Sequence, residues 1–450
     1  MHYTFIRKKH ISSSRIIIIG FMLVILTGSV LLMLPVSTKS GEMASFGDAL
    51  FTATSATCVT GLVVHDTATY WSTFGQAVIL LLIQIGGMGV VTIAVFIAVV
   101  SGRKIGLMQR STMQEAIAAH NVGGIVRLTG FILKATVMIE LVGAFCMLPV
   151  FGKEFGIPKG IWYAVFHSIS AFCNAGFDLM GSREAFSSLT GYQGNIVVNL
   201  VIMALIIIGG IGFLTWHDIR SNGVHIRKYR MQSKVILTST IVLLLIPFLI
   251  FFFGEFGQAD WENMTLKERV LSSMFQSVTP RTAGFNTVDL SQLTESGKTI
   301  IIILMLIGGS PGSTAGGMKT TTAAVLFITL LAVFGKKGDA ECFGRRIGED
   351  IIRNAAAILI MYLTLFLTGA IVISSLEGLP ILTCLFETAS AIGTVGLTLG
   401  ITPGLGVVSR MILILLMFMG RVGGLTLVFA AVSGRQKNLS RFPREKITVG

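Results

Sequence analysis

Long apolar runs recur along the chain near residues 15–36, 76–100, 130–151, 195–216, 235–253, 299–330, 354–376 and 407–433. Each approaches or exceeds the ~18 apolar residues that signal a bilayer-crossing helix, so the pattern predicts eight spans. Each odd-numbered run is followed by a stretch that hydropathy alone reads as a loop, and these four stretches align. They are Phe51-TATSATCVT-Gly61-Leu62, Phe166-HSISAFCNA-Gly176-Phe177, Phe275-QSVTPRTA-Gly284-Phe285 (one residue shorter) and Phe386-ETASAIGTV-Gly396-Leu397. Each is small, hydroxylated and apolar, then reaches a glycine and a bulky apolar residue. At about ten residues it is too short to span and suits a re-entrant half-helix.

Irregular backbone at membrane depth is tolerated only where protein buries it or where it lines a watery cavity. A glycine ends such a half-helix well, because it adopts backbone angles closed to other residues. Carbonyls of the following turn can then replace an ion's hydration shell, and the negative end of the half-helix dipole attracts a cation. A second glycine mark closes each unit: Gly86-Gly87-Met88-Gly89, Gly209-Gly210-Ile211-Gly212, Gly308-Gly309-Ser310-Pro311-Gly312 and Gly420-Arg421-Val422-Gly423. For this mark, close helix packing is as good a reading as a functional break. The expected fold is an all-α integral membrane protein of four helix–pore loop–helix repeats around one central pore. It has eight full spans and four re-entrant pore helices. The repeats divide at residues 1–102, 103–220, 221–337 (with a broken sixth span at 308–318) and 338–450, the last carrying a tail.

Composition agrees with a membrane chain. Apolar residues are 53%, charged residues 13%, and the mean hydropathy is +0.80, against roughly 25% charged residues in soluble domains. The net charge of +13 reads as topology. Arg7, Lys8, Lys9 and Arg15, then Arg103, Lys104, Arg110 and Arg127, fall on one side of the predicted membrane. So do Arg220, Arg227, Lys228, Arg230 and Lys234, then Lys336, Lys337, Arg345, Arg346 and Arg353, and finally Arg435, Lys437, Arg441, Arg444 and Lys446. That side is the cytoplasmic one and holds both termini. No motif supports nucleic-acid binding as the meaning of the charge. The five cysteines (Cys58, Cys146, Cys173, Cys342, Cys384) show no C-x-x-C spacing, so neither a disulfide framework nor a zinc site follows. The run from Ile16 to Pro35 reads as a first span, with no A-x-A cleavage site after it.

At TCVTGL (57–62), FCNAGF (172–177), TPRTAGFN (279–286), GTVGLTLG (393–400) and GGSPGSTAGGMKTTT (308–322) the chain resembles the Trk/Ktr/HKT superfamily of potassium uptake proteins. It is most similar to the membrane subunit of bacterial Ktr systems, the KtrB/KtrD type, over nearly its whole length. The resemblance implies an ion-selectivity filter whose backbone carbonyls hold K+. Its four loops are Cys58, Val59, Thr60 and Gly61; Cys173, Asn174, Ala175 and Gly176; Arg281, Thr282, Ala283 and Gly284; and Gly393, Thr394, Val395 and Gly396. In the family a serine at the first glycine goes with sodium permeation, and Gly61 keeps the potassium reading. The resemblance further implies a homodimer with one pore per subunit in the bacterial cell membrane. A cytoplasmic RCK/KTN-type ring (KtrA/KtrC-like) regulates it, Na+ is an activator, and ATP or ADP sits only on that partner. The chain itself is expected to bind no cofactor. The basic segments around 103–110, 225–234, 336–346 and 435–446 are assigned to the partner or to anionic lipid heads.

The sixth run is broken by five glycines and Pro311, which removes a donor and clashes with the preceding turn. In the family this segment occludes the pore. Gly308, Gly309, Ser310, Pro311, Gly312, Ser313, Thr314, Ala315, Gly316, Gly317, Met318 and Lys319 are therefore gate candidates. So is Arg421, which stands where the other copies have a glycine and is expected to bond carbonyls of the 308–318 loop, or else to act as structural glue. A lone cation at this depth costs at least ~3 kcal/mol. Arg281 is expected to turn sideways and bond within the protein, Glu140 to have a buried partner, and Glu387 to suit a helix N-terminus or the outer mouth. Two rival functions stand. One is a proton- or sodium-coupled symporter of the TrkH type. The other is a membrane-embedded enzyme, for which the histidines form no H-E-x-x-H and no G-x-S-x-G occurs.

Overall fold

The computed structural model describes residues 12–100, 106–117, 124–424 and 426. Helix α1 (Ser13–Met33) is followed by a shorter α2 (Phe46–Thr57), one turn α3 (Thr67–Tyr70), and α4 (Thr73–Met88) with α5 (Val90–Val100). After α6 (Leu107–Ile117) the long, short, broken order recurs in α7 (Ile125–Phe155), α8 (Ile157–Phe172) and α9 (Ile196–Gly210) with α10 (Phe213–Asn222). It recurs again in α11 (Met231–Ile250), α12 (Leu266–Val278), α13 (Glu295–Leu306) and α14 (Thr320–Phe334). The last round is α15 (Glu349–Glu377), α16 (Ile381–Gly393) and α17 (Val407–Val422). Arg7, Lys8, Lys9, Arg103, Lys104 and the basic tail 435–446, with both termini, lie outside the described residues.

Helices α1, α7, α15 and α11, the last continued by a π turn over Phe251–Glu255, are long and apolar enough to cross a membrane. The 21 residues of α1 reach about 31 Å at 1.5 Å per residue, against ~30 Å of hydrocarbon. Their outer faces are apolar. On α7, Val137, Met138, Leu141, Val142 and Phe145 are exposed while Ile132, Glu140, Ala144 and Met147 are buried. Apolar surface of this extent belongs against lipid.

The even-numbered runs are not the continuous spans the hydropathy suggests. They break at Gly89 (φ 85°), Gly212 (φ 92°) and Gly423 (φ 88°) as well as in the sixth run. Helices α9 and α10 meet at 95°. Hydropathy averages over the break, whereas a left-handed residue cannot continue a right-handed helix. Among the described residues the fold also departs from all-α where Glu341–Cys342 pairs with Arg345–Arg346 as a two-stranded antiparallel ribbon.

The short helices start on local signals. Ser45 caps α2, a Thr265–Glu268 capping box opens α12, and α8 has proline in its first turn. Each starts five or nine residues ahead of its marker phenylalanine, and Phe51, Phe166, Phe275 and Phe386 are all fully buried. Asp48 in the first turn of α2 meets Arg410 of α17 at 2.9 Å, joining the first unit to the last.

Candidate functional site

The C-terminal ends of α2, α8, α12 and α16 lead into the four glycines, which the structure brings into one ring. A Cβ built at Gly61 would stand 2.5 Å from the Ala175 carbonyl oxygen, at Gly176 2.8 Å from that of Ala283, and at Gly284 2.5 Å from that of Val395. At Gly396 it would fall on the Thr60 carbonyl, which closes the circle. All four have positive φ: 93°, 70°, 78° and 92°. Two residues earlier, Val59, Asn174, Thr282 and Thr394 are also left-handed, with φ from 51° to 67°. Four non-glycine residues held in this costly region at one register mark a shared, over-determined turn. The Asn174 side-chain amide lies 3.2 Å from the Thr282 hydroxyl and ties the second loop to the third.

A set of residues missed at the sequence level holds these turns. The fourth residue after each marker phenylalanine (Ser55, Ser170, Thr279, Ser390) bears a hydroxyl. Its carbonyl accepts from the residue before the glycine: Thr60 N, Ala175 N and Val395 N at 2.8 Å and Ala283 N at 3.0 Å. The hydroxyls of Ser55 and Ser390 accept from Gly61 N (3.1 Å) and Gly396 N (3.0 Å). Those of Ser170 and Thr279 donate to the Phe177 and Phe285 carbonyls. The signal was the hydroxyl shared by FTATS, FHSIS, FQSVT and FETAS.

The second glycine marks form the next layer, and each of their glycines has its own reason. A Cβ at Gly86, Gly209 or Gly420 would fall on the carbonyl of Thr57, Phe172 or Ile392, at or near the ends of α2, α8 and α16. The later glycines, Gly89, Gly212 and Gly423, carry the left-handed break. Close packing and the helix break thus fall at different positions of one mark.

In the third unit the break opens into the loop between Ile307 and Met318, whose ends pair as Gly308 N to Met318 O at 2.8 Å. Ser310 N donates to Gly210 O (2.9 Å), Thr314 N to Gly209 O (3.2 Å), Gly317 N to Gly420 O (3.1 Å), and Thr314 Oγ1 to Phe172 O (3.0 Å). Gly316 and Gly317 lie under Thr394 and Gly393. The loop is thus wedged below the glycine ring between the second and fourth units. The guanidinium of Arg421 donates to the carbonyls of Thr314, Gly86 and Gly87, the last at 3.0 Å. Lys319 turns its ammonium back onto Ala315 O (2.8 Å) and Gly316 O (3.3 Å). Beneath lies a cavity of about 330 Å³ lined by Gly89, Glu115, Gly312, Lys319, Thr322 and Arg421. Helix α6, not foreseen because it is short and of mixed polarity, brings Glu115 there, held by Ser14 at 2.6 Å.

Arg281 reaches Thr240 of α11, 3.4 Å from its hydroxyl, and has no acidic neighbour within ion-pair distance among the described residues. Glu140 is partnered by Gln84 of α4 at 3.3 Å. Glu387 sits neither at a helix N-terminus nor at an outer mouth. It lies inside α16, fully buried, accepting from the hydroxyls of Thr398 (2.8 Å) and Thr402. The helix begins at Ile381, earlier than the repeat alignment suggested.

Comparison with known proteins gives a consistent picture. The family described as TrkH, cation transport protein, matches residues 8–441. The potassium/sodium uptake protein NtpJ of Enterococcus hirae is 41% identical over 449 residues, 98% of each chain. The Ktr system potassium uptake protein B of Bacillus subtilis is 40% identical over 437 residues, covering 97% of this chain and 96% of that protein. The crystal structure of the potassium transporter TrkH from Vibrio parahaemolyticus shares the fold with a TM-score of 0.72 at 19% identity. It covers 95% of this chain and 86% of that one.

Proposed function

The chain belongs to the TrkH family of membrane cation transport proteins, and on that premise we propose that it is the potassium-translocating membrane subunit of a Ktr-type uptake system. The observation that carries this reading is the closed ring of four left-handed glycines, each pressed against the backbone carbonyl of the next unit. Carbonyls crowded around one axis replace the hydration shell of a permeant cation. The four short helices aim the negative ends of their dipoles at the same place. Eight spans and four pore helices, in the four repeats described above, complete the architecture.

Below the filter, the 308–318 loop with Lys319 and Arg421 forms the gate. Both side chains are held by carbonyls, and the guanidinium of Arg421 places positive charge on the ion path, which repels a cation leaving the filter. Opening requires the loop to leave Gly209, Gly210 and Gly420. The protein works as a homodimer in the bacterial cell membrane with both termini cytoplasmic. A cytoplasmic nucleotide-binding ring of the RCK/KTN kind carries ATP or ADP and biases the loop, and sodium stimulates uptake. The Ktr name of one relative supports such a partnered system.

The test is potassium-uptake complementation in a potassium-auxotrophic bacterium, with and without a co-expressed regulatory subunit. Growth at limiting potassium supports the proposal, and no uptake from a membrane-inserted chain in either arm overturns it. A second reading, sodium entering with potassium as a coupled ion, is favoured by the potassium/sodium name of one relative. It requires potassium flux to track the sodium gradient in liposomes.

A further inference from the structure

The residue directly after each marker phenylalanine is polar and almost fully enclosed: Thr52 (1% exposed), His167, Gln276 and Glu387 (each 0%). Enclosed polar groups are costly unless bonded, and an enclosed carboxylate is the costliest. Two of the four reach the chain segment that leaves the glycine ring. Leu179 N donates to His167 Nε2 at 3.3 Å, and His167 Nδ1 lies 2.7 Å from the Tyr163 carbonyl. That carbonyl can only accept, so Nδ1 carries the hydrogen and Nε2 is the acceptor. Glu387 takes the hydroxyls of Thr398 and Thr402 and has no basic residue within ion-pair distance among the described residues. Gln276, by contrast, has no hydrogen-bond partner at either amide atom among the described residues. The order of the glycine ring, 61 to 176 to 284 to 396, puts the His167 and Glu387 units on opposite sides of the axis.

We propose that His167 and Glu387 are a pair of filter-positioning residues. By holding the outgoing segments at Leu179 and at Thr398 and Thr402, they fix the spacing of facing carbonyls and so set potassium-over-sodium discrimination. Neither residue touches the ion. The inference rests on the potassium-permeation reading above.

The test uses the full-length chain in liposomes, with potassium and sodium fluxes measured separately. Glu387→Leu and His167→Leu are expected to lower the potassium-to-sodium flux ratio about tenfold, the effect of misplacing one coordinating layer by roughly one bond's worth of energy. Glu387→Gln and His167→Gln, which keep an acceptor near the lost atom, recover most of it. A Thr402→Val exchange, nearly isosteric, lowers the ratio in the same direction and adds little on top of Glu387→Leu. It decides the matter if the Leu variants do not insert. Equal loss of both fluxes with an unchanged ratio overturns the proposal, since a purely structural role predicts that. If the wild type moves no potassium, the functional reading falls. Amide hydrogen exchange over 177–182 and 396–404 then decides the positioning role: faster exchange in the variants supports it and unchanged exchange overturns it.

Discussion

Alanine at Gly396 and alanine at Gly400 make a matched pair of perturbations. Both residues sit at nearly the same left-handed angle, φ 92° and 89°, so each substitution costs about 1–2 kcal/mol in backbone strain. Their surroundings differ. A Cβ at Gly400 meets nothing within 4 Å, whereas at Gly396 it falls on the Thr60 carbonyl oxygen and 2.9 Å from Gly61 Cα. Carbon atoms pack at about 3.5 Å or more, so the first and fourth units must part by several tenths of an ångström. Overpacking of this kind adds about 1–3 kcal/mol. Gly400→Ala should therefore lower the apparent Tm modestly and leave ion discrimination intact. Gly396→Ala should lower it further and let sodium through. The assays are thermal unfolding of the purified protein and the potassium-to-sodium flux ratio in liposomes. Gly396→Ala that matches Gly400→Ala in stability and keeps wild-type discrimination would refute the argument from the ring.

Other consequences can be checked the same way. Arg421→Ala removes the charged donor from the Thr314, Gly86 and Gly87 carbonyls, where such bonds are worth about 1.5–3 kcal/mol each; flux without the regulatory partner should rise several-fold, and an unchanged flux from a folded mutant contradicts the gate. Gly86→Ala, which drives a methyl onto the Thr57 carbonyl, should lower the apparent Tm more than Gly89→Ala, which has only Thr92 Oγ1 nearby at 3.7 Å; the reverse order would mean that the first glycine is not a packing residue. Burial pushes the Asp48 carboxyl up, but Ser45, His65 and Arg410 more than offset it and hold it below its usual 3.8. A depressed pKa stabilises the fold above the unfolded value and the contribution is lost as pH falls through the folded one. Between about pH 5 and pH 3 the wild type should thus lose more stability than Asp48→Asn, and parallel curves would exclude the Asp48–Arg410 contact as a stabiliser.

Much of the site was legible because repetition exposes it. Four glycines at one register, four phenylalanines ahead of them and a glycine-rich break in one run can be read without coordinates. The hydroxyl after the marker phenylalanine was present in the same alignment, but its meaning depends on which backbone group it faces. Glu387 was misplaced because a helix start cannot be read to within a turn when apolar residues continue on both sides. The breaks at Gly89, Gly212 and Gly423 stayed one of two readings of the glycine mark, because apolar composition is blind to the sign of φ.

What the sequence by itself determined is the membrane setting, the family and the recurring unit. The setting and the unit follow from composition, hydrophobic length and self-similarity, which are properties of the chain in order, and the family from the resemblance of its motifs. Only the tertiary structure decided that the glycines close into a circle, that Arg421 spans the second and sixth runs, and that Arg281 reaches Thr240. Those depend on contacts between residues more than a hundred positions apart, or on which face of a helix meets a neighbour. Local periodicity constrains neither, because packing of four similar units fixes both at once.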